Sequence, residues 1–138
     1  MREKYKFLEH TADIKFQAFG DSIEEVFKNS ALALKEIIVG KIKIKEKIKK
    51  EFVIEKPNDD KEKALYNFLE EFLYLLDAED FLFSKVALKF FQNRLQVKVI
   101  GDKASNYKFI NPVKAITYNE MFIKKQNNKW IAQVVLDV

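Results

Sequence analysis

The chain has 138 residues, 48% of them hydrophobic with 13 Phe, and carries 25 Lys and Arg against 21 Asp and Glu for a net charge of +4. That length and apolar content suit one domain with a sizeable core, taken as residues 1–138. With no Cys and a single His, disulfide frameworks, thiolate zinc sites, cysteine nucleophiles and multi-histidine metal centres are excluded.

Charge is unevenly spread, at −1 over residues 1–40, +4 over 41–56, −6 over 57–83 and +7 over 84–138. Such poles orient an encounter with a charged partner without naming it. The opening MREKYKFLEH has no apolar h-region, and no run reaches the roughly 20 apolar residues of a membrane span, so a cytoplasmic, membrane-free protein is expected.

Residues 3–9 and 13–19 alternate apolar and polar, the period of half-buried strands. Gly20 closes the second. Ser22 and Glu25 then stand at capping-box spacing, opening a helix whose stripe runs through Ile23, Val26, Phe27, Ala31, Leu34, Ile37 and Ile38 to a stop at Gly40. Beyond it the period returns to two. Ile42, Ile44, Ile48, Phe52 and Ile54 take even positions and a row of Lys the odd ones, which predicts a strand with one wet face. The lysines suit protection of an exposed strand edge better than a single-strand nucleic-acid platform, because no aromatic interleaves them.

Pro57 ends that strand, and Asn58, Asp59 and Asp60 offer caps for a second helix with the stripe Leu65, Phe68, Leu69, Phe72, Leu73 and Leu76. Tyr74 and Leu75 widen the stripe, so this helix is expected to be the more enclosed of the two. Asp77, Glu79 and Asp80 oppose its dipole, which a basic partner or a solvated turn would relieve. Two further strand pairs follow, one turning at Gln92 and Asn93 and one at the QNN of residues 126–128, with a Pro112-bearing loop between the pairs. The order β-β-α-β-α-β-β-β-β predicts an α+β fold: a largely antiparallel sheet with two amphipathic helices packed on it.

Chemistry-bearing residues are few. Glu9, His10, Thr11 and Asp13 crowd the junction of the first two strands; they read as a structural turn or as a weak acid–base group, since nothing completes a nucleophile system. Asp137 and Val138 end a buried-type strand on negative charge. If the fold brings Asp13 beside them, a hard divalent cation is the simplest way to offset the repulsion. Lys114 stands at the mouth of a strand, where it can reach that acidic corner or a partner's phosphate. Only three Gly are present and none forms a phosphate-cradling loop.

The stretches EHTADIKFQAFGDSIEEVF, LYNFLEEFLYLLDAEDFLF, VKAITYNEM and WIAQVVLDV, in that order and spanning the chain, resemble the archease family. The resemblance implies a small non-enzymatic protein cofactor of the RtcB-type tRNA-splicing ligase, promoting GTP-dependent guanylylation of that ligase and its multiple turnover. It also implies a divalent metal ion, calcium or magnesium, at Asp13, Asp137 and Val138, a functional lysine at Lys114, and His10 and Thr11 as neighbours of the site. RNA would be reached through the ligase. Lys15 departs from the smaller or apolar residue that many members carry. A chaperone-like module, a general RNA binder and a small metal-dependent hydrolase are the rival expectations.

Overall fold

The structure, a computed structural model, describes residues 3–8, 13–55 and 60–138. Alternating sequence builds seven strands: β1 (Tyr5–Leu8), β2 (Ile14–Gly20), β3 (Ile48–Glu55), β4 (Phe81–Phe91), β5 (Arg94–Lys103), β6 (Ala115–Gln126) and β7 (Lys129–Asp137). The two apolar stripes build α1 (Ile23–Val39) and α2 (Lys61–Glu79). Among the described residues the strands form two antiparallel sheets rather than one continuous sheet, in the orders β1-β2-β7-β6 (sheet A) and β3-β5-β4 (sheet B). Each helix packs against both sheets, so the apolar faces drain into one core cluster.

Local chemistry sets the helix ends. Ser22 Oγ accepts the Glu25 N–H at 3.1 Å, and the Glu25 carboxylate reaches back to the Asp21 N–H at 2.9 Å. Gly40 ends α1 at φ 79° and ψ −167°, a region open essentially to glycine. Of the three candidate caps for α2, Asp60 serves, accepting the Lys63 N–H at 3.0 Å. Asp80 ends α2 in the left-handed region at φ 50°. There its carboxylate accepts the Ser105 N–H and Oγ–H, both at 2.8 Å, while Glu79 pairs with Lys50. Two of the three acidic residues that oppose the dipole, Glu79 and Asp80, thus have partners within the fold.

Two expectations are corrected. Helix α1 is the more enclosed, with 10 of its 17 residues buried against 7 of 19 in α2. Tyr74 does not widen the buried stripe of α2: it is 54% exposed. The strand expected from Ile42 begins only at Ile48, where pairing with β5 starts opposite Gly101. Residues 42–47 carry strand periodicity but join no ladder; burial of Ile44 and the Lys45 N–H donating to Tyr107 Oη at 2.9 Å hold them. β3 is an edge of sheet B, but of the odd-position lysine row only Lys49 lies in it, so edge protection applies to Lys49 and not to Lys41, Lys43, Lys45 or Lys47.

Candidate functional site

At one end of sheet A three chain segments meet. β7 lies between β2 and β6, with Ile14 opposite Leu136 and Ala115 opposite Asp137. Asp13 immediately precedes Ile14, so the same antiparallel register sets it at the level of Asp137. Beyond Ala115, the Lys114 N–H donates to the Asp137 carbonyl at 2.7 Å.

Alternation then sorts the side chains. Phe16, Ala18, Ile116, Ala132, Val134 and Leu136 enter the core, so the odd positions of β2 and β7 point to the opposite, outer face of the sheet. Registered partners share a face, which puts Asp137 on the outer face and Asp13 beside it by continuation. Asp137 is exposed and Asp13 half-buried. Lys15 lies on this face too, opposite Val135, with its ammonium 3.2 Å from Glu120. Val138 is half-buried and packs against the core.

Lys114 takes the other side of the sheet end. It lines a cleft of about 480 Å³ together with Asn67, Glu70, Glu71, Tyr74 and Asp77 of α2. Its backbone is joined to Asp137 while its side chain belongs to the cleft with α2. Burial, and then the charge of Glu79, push the Glu71 carboxyl above its ordinary range. Beside the cleft Tyr66 and Tyr118 stack with ring centroids 4.2 Å apart, and a hydrogen bond to Glu70 is the main cause raising the Tyr66 hydroxyl. Sequence reading missed this acidic flank; its signal was the spacing of Glu70, Tyr74 and Asp77 on one side of α2, outside the apolar stripe.

His10 and Thr11 lie outside the described residues. Among the described residues no group of three His, Asp or Glu side chains could hold a metal ion. The donor set at the sheet end is two carboxylates from adjacent strands plus main-chain oxygen at Val138. All are hard oxygens, with no imidazole nitrogen or thiolate sulfur donor among the described residues, which fits a calcium or magnesium ion that retains several waters.

An α+β protein of two antiparallel sheets and two helices, with acidic side chains gathered at the shared end of β2 and β7, defines the class. Residues 5–138 match the Archease protein family, and the chain belongs to that family. A protein archease of Pyrococcus furiosus is 40% identical over 142 residues, covering 98% of this chain and 99% of that protein. One from Methanosarcina mazei is 36% identical over 143 residues, covering 99% and 97%. The solution structure of Methanobacterium thermoautotrophicum protein 1598 superposes with a TM-score of 0.78 at 31% identity, covering 98% of this chain and 99% of that one. A Thermotoga maritima crystal structure described as an archease and possible chaperone shares the fold, with a TM-score of 0.68 at 23% identity, covering 100% and 98%. No helix among the described residues is long and apolar enough to cross a membrane.

Proposed function

We propose that this protein is a non-enzymatic, cytoplasmic activator of an RtcB-type tRNA-splicing RNA ligase, promoting the ligase's GTP-dependent guanylylation and multiple turnover. The observation that carries the reading is the register at the end of sheet A, which aligns Asp13 with Asp137 on one face and ties Lys114 to Asp137 through the backbone. Asp13, Asp137 and a main-chain oxygen of Val138 would hold a calcium or magnesium ion. Bound there, the ion would offset carboxylate repulsion and offer positive charge to phosphate oxygens. An exposed site with so few protein ligands binds weakly, in the range of about 10⁻⁴–10⁻³ M for calcium.

The chain's own residues do the positioning. Central strand β7 fixes the Asp137 backbone, and the Lys114 amide fastens β6 to the same point. Lys114, which lines the cleft against α2, would offer its ammonium to an anionic group that approaches along the sheet end. RNA is reached through the ligase.

The test is ligase guanylylation with GTP, in the presence of wild type, Asp13→Ala, Asp137→Ala or Lys114→Ala. Each variant should lower stimulation at least tenfold, and for exposed Asp137 and Lys114 the melting midpoint should stay within about 2 °C, because surface substitutions away from caps and core cost little. Undiminished stimulation by Asp13→Ala and Asp137→Ala together rejects the proposal. The chaperone-like alternative draws on exposed Ile42, Phe109 and Ile110. It requires suppression of aggregation of an unrelated client, unaffected by Asp13→Ala.

A further inference from the structure

We infer that the outer face of sheet B is a docking groove for an acidic, apolar segment of a partner protein. This does not depend on the ligase reading, and it uses the opposite sheet from the Asp13–Asp137 end.

Register builds the groove. Lys49, Ile100 and Lys85 stand side by side across β3, β5 and β4, and Glu51, Lys98 and Ala87 form the neighbouring row. Strand alternation puts both rows on the face turned away from the core, because Val86, Val97 and Val99 take the inner one. Leu32 and Lys28 of α1 and Lys4 ahead of β1 wall the β4 side, enclosing about 660 Å³. β4 pairs only with β5 among the described residues, so its other edge runs along this wall.

Lys4, Lys28, Lys49, Lys85 and Lys98, each from a different part of the fold, therefore surround a floor of Ile100 and Ala87 beside the Leu32 wall; Lys50, also in the lining, pairs with Glu79, and Glu51 is the single acidic residue there. Two of those five have carboxylate neighbours: Lys98 with Glu51 at 3.8 Å and Lys85 with Glu46 at 3.5 Å. Pairs so long and solvated are worth little, and an incoming carboxylate can replace them at small cost. For Lys4, Lys28 and Lys49 no ion pair is recorded among the described residues.

The floor decides between the two classes of polyanion. A nucleic-acid groove of this kind uses aromatic rings or arginine planes on which bases stack; none of the described residues lining this one is aromatic or arginine, Phe91 and Arg94 standing on the same face but two rows farther along β4 and β5. Aliphatic carbon between lysines instead matches a strand-like segment that places apolar side chains inward and carboxylates toward the rim.

The test is fluorescence anisotropy at 0.1 M salt with three labelled probes: a dodecapeptide alternating Leu and Glu, a dodecamer of Glu alone, and a twelve-nucleotide oligouridylate. The alternating peptide should bind wild type saturably below about 100 µM, at least tenfold tighter than the other two. The Lys28→Glu/Lys98→Glu double variant should weaken it at least tenfold, Lys28→Gln/Lys98→Gln should weaken it less, and Lys108→Glu, in the loop before β6, should leave it unchanged. All the replaced side chains are exposed, so melting curves matching wild type confirm folded variants. Absent saturable binding, equal binding by the charge-reversed variant, or a Glu dodecamer that binds as tightly overturns the inference. Tighter binding of the oligouridylate overturns it in favour of a nucleic-acid groove.

Discussion

Asp102 is 4% exposed, and its carboxylate accepts the Tyr107 O–H at 2.8 Å and the Asn106 Nδ2–H at 3.3 Å. The Tyr107 hydrogen bond is the largest cause holding this carboxyl below its usual range. A depressed carboxyl stabilises the fold above its unfolded value, and that contribution disappears as pH falls through the folded value. Tyr107→Phe also removes the acceptor of the exposed Lys45 N–H. It should lower the melting midpoint by a few degrees at pH 7, and the gap from wild type should narrow steadily in melts taken down to pH 2. A gap constant with pH would mean that the charge on Asp102 is not involved. Sequence periodicity did not disclose this cluster, because its members come from the end of one strand, a 3₁₀ turn and a segment that joins no ladder. Only folding brings residues 45, 102 and 107 together. Asp13 and Asp137 were legible as candidate oxygen donors without being legible as register partners, since alternation fixes which face a side chain takes and not which strand lies beside it.

Elements were read more completely. Helix ends were legible because caps are local: Ser22, Gly40 and Asp60 act on backbone within a few residues of themselves. Gly40 has a longer reach, since a Cβ there would lie 2.7 Å from Ile110 Cδ1, in the loop whose Ile110 N–H donates to the Ile38 carbonyl at 2.6 Å. Gly40→Ala should therefore cost about 1–3 kcal/mol from backbone strain, read as a lower urea midpoint with an unchanged m-value. Loss of α1 helicity by circular dichroism would instead point to a broken terminus. Relative enclosure of the helices was misread for a physical reason: an apolar count does not reveal how many surfaces a helix touches. α1 meets β1, β2, β4, β7 and α2, whereas one flank of α2 opens on the Lys114 cleft. The 42–47 segment misled likewise, because period two marks an extended chain and not a paired one.

Over the whole molecule, the division into two sheets puts aromatic packing where helices and strands meet. Phe68 of α2 lies with its ring centroid 5.5 Å from Phe27 of α1 and 5.0 Å from Phe72. Phe72 in turn meets Phe52 of β3 at 5.8 Å and Phe83 of β4 at 4.7 Å. Phe68 is fully buried, so Phe68→Ala should destabilise by about 3–5 kcal/mol through lost burial and a residual cavity, measured by denaturant unfolding. A loss below about 1 kcal/mol would show that the site collapses around the gap. The α+β class was readable from the order of elements, while the partition of strands between sheets was not, because identical alternation serves either partner.

β7 runs between two neighbours rather than on an edge, paired to β2 as far as Leu136 and to β6 as far as Asp137 itself, so its final carboxylate-bearing residue is set against the sheet like a tooth in a jaw. Whatever arrives there meets a stiff support, and the freedom left to quench is torsional, in a few side chains. Under the proposed function, recognition at that point would be quick and reversible, with no refolding to wait for on arrival or on release.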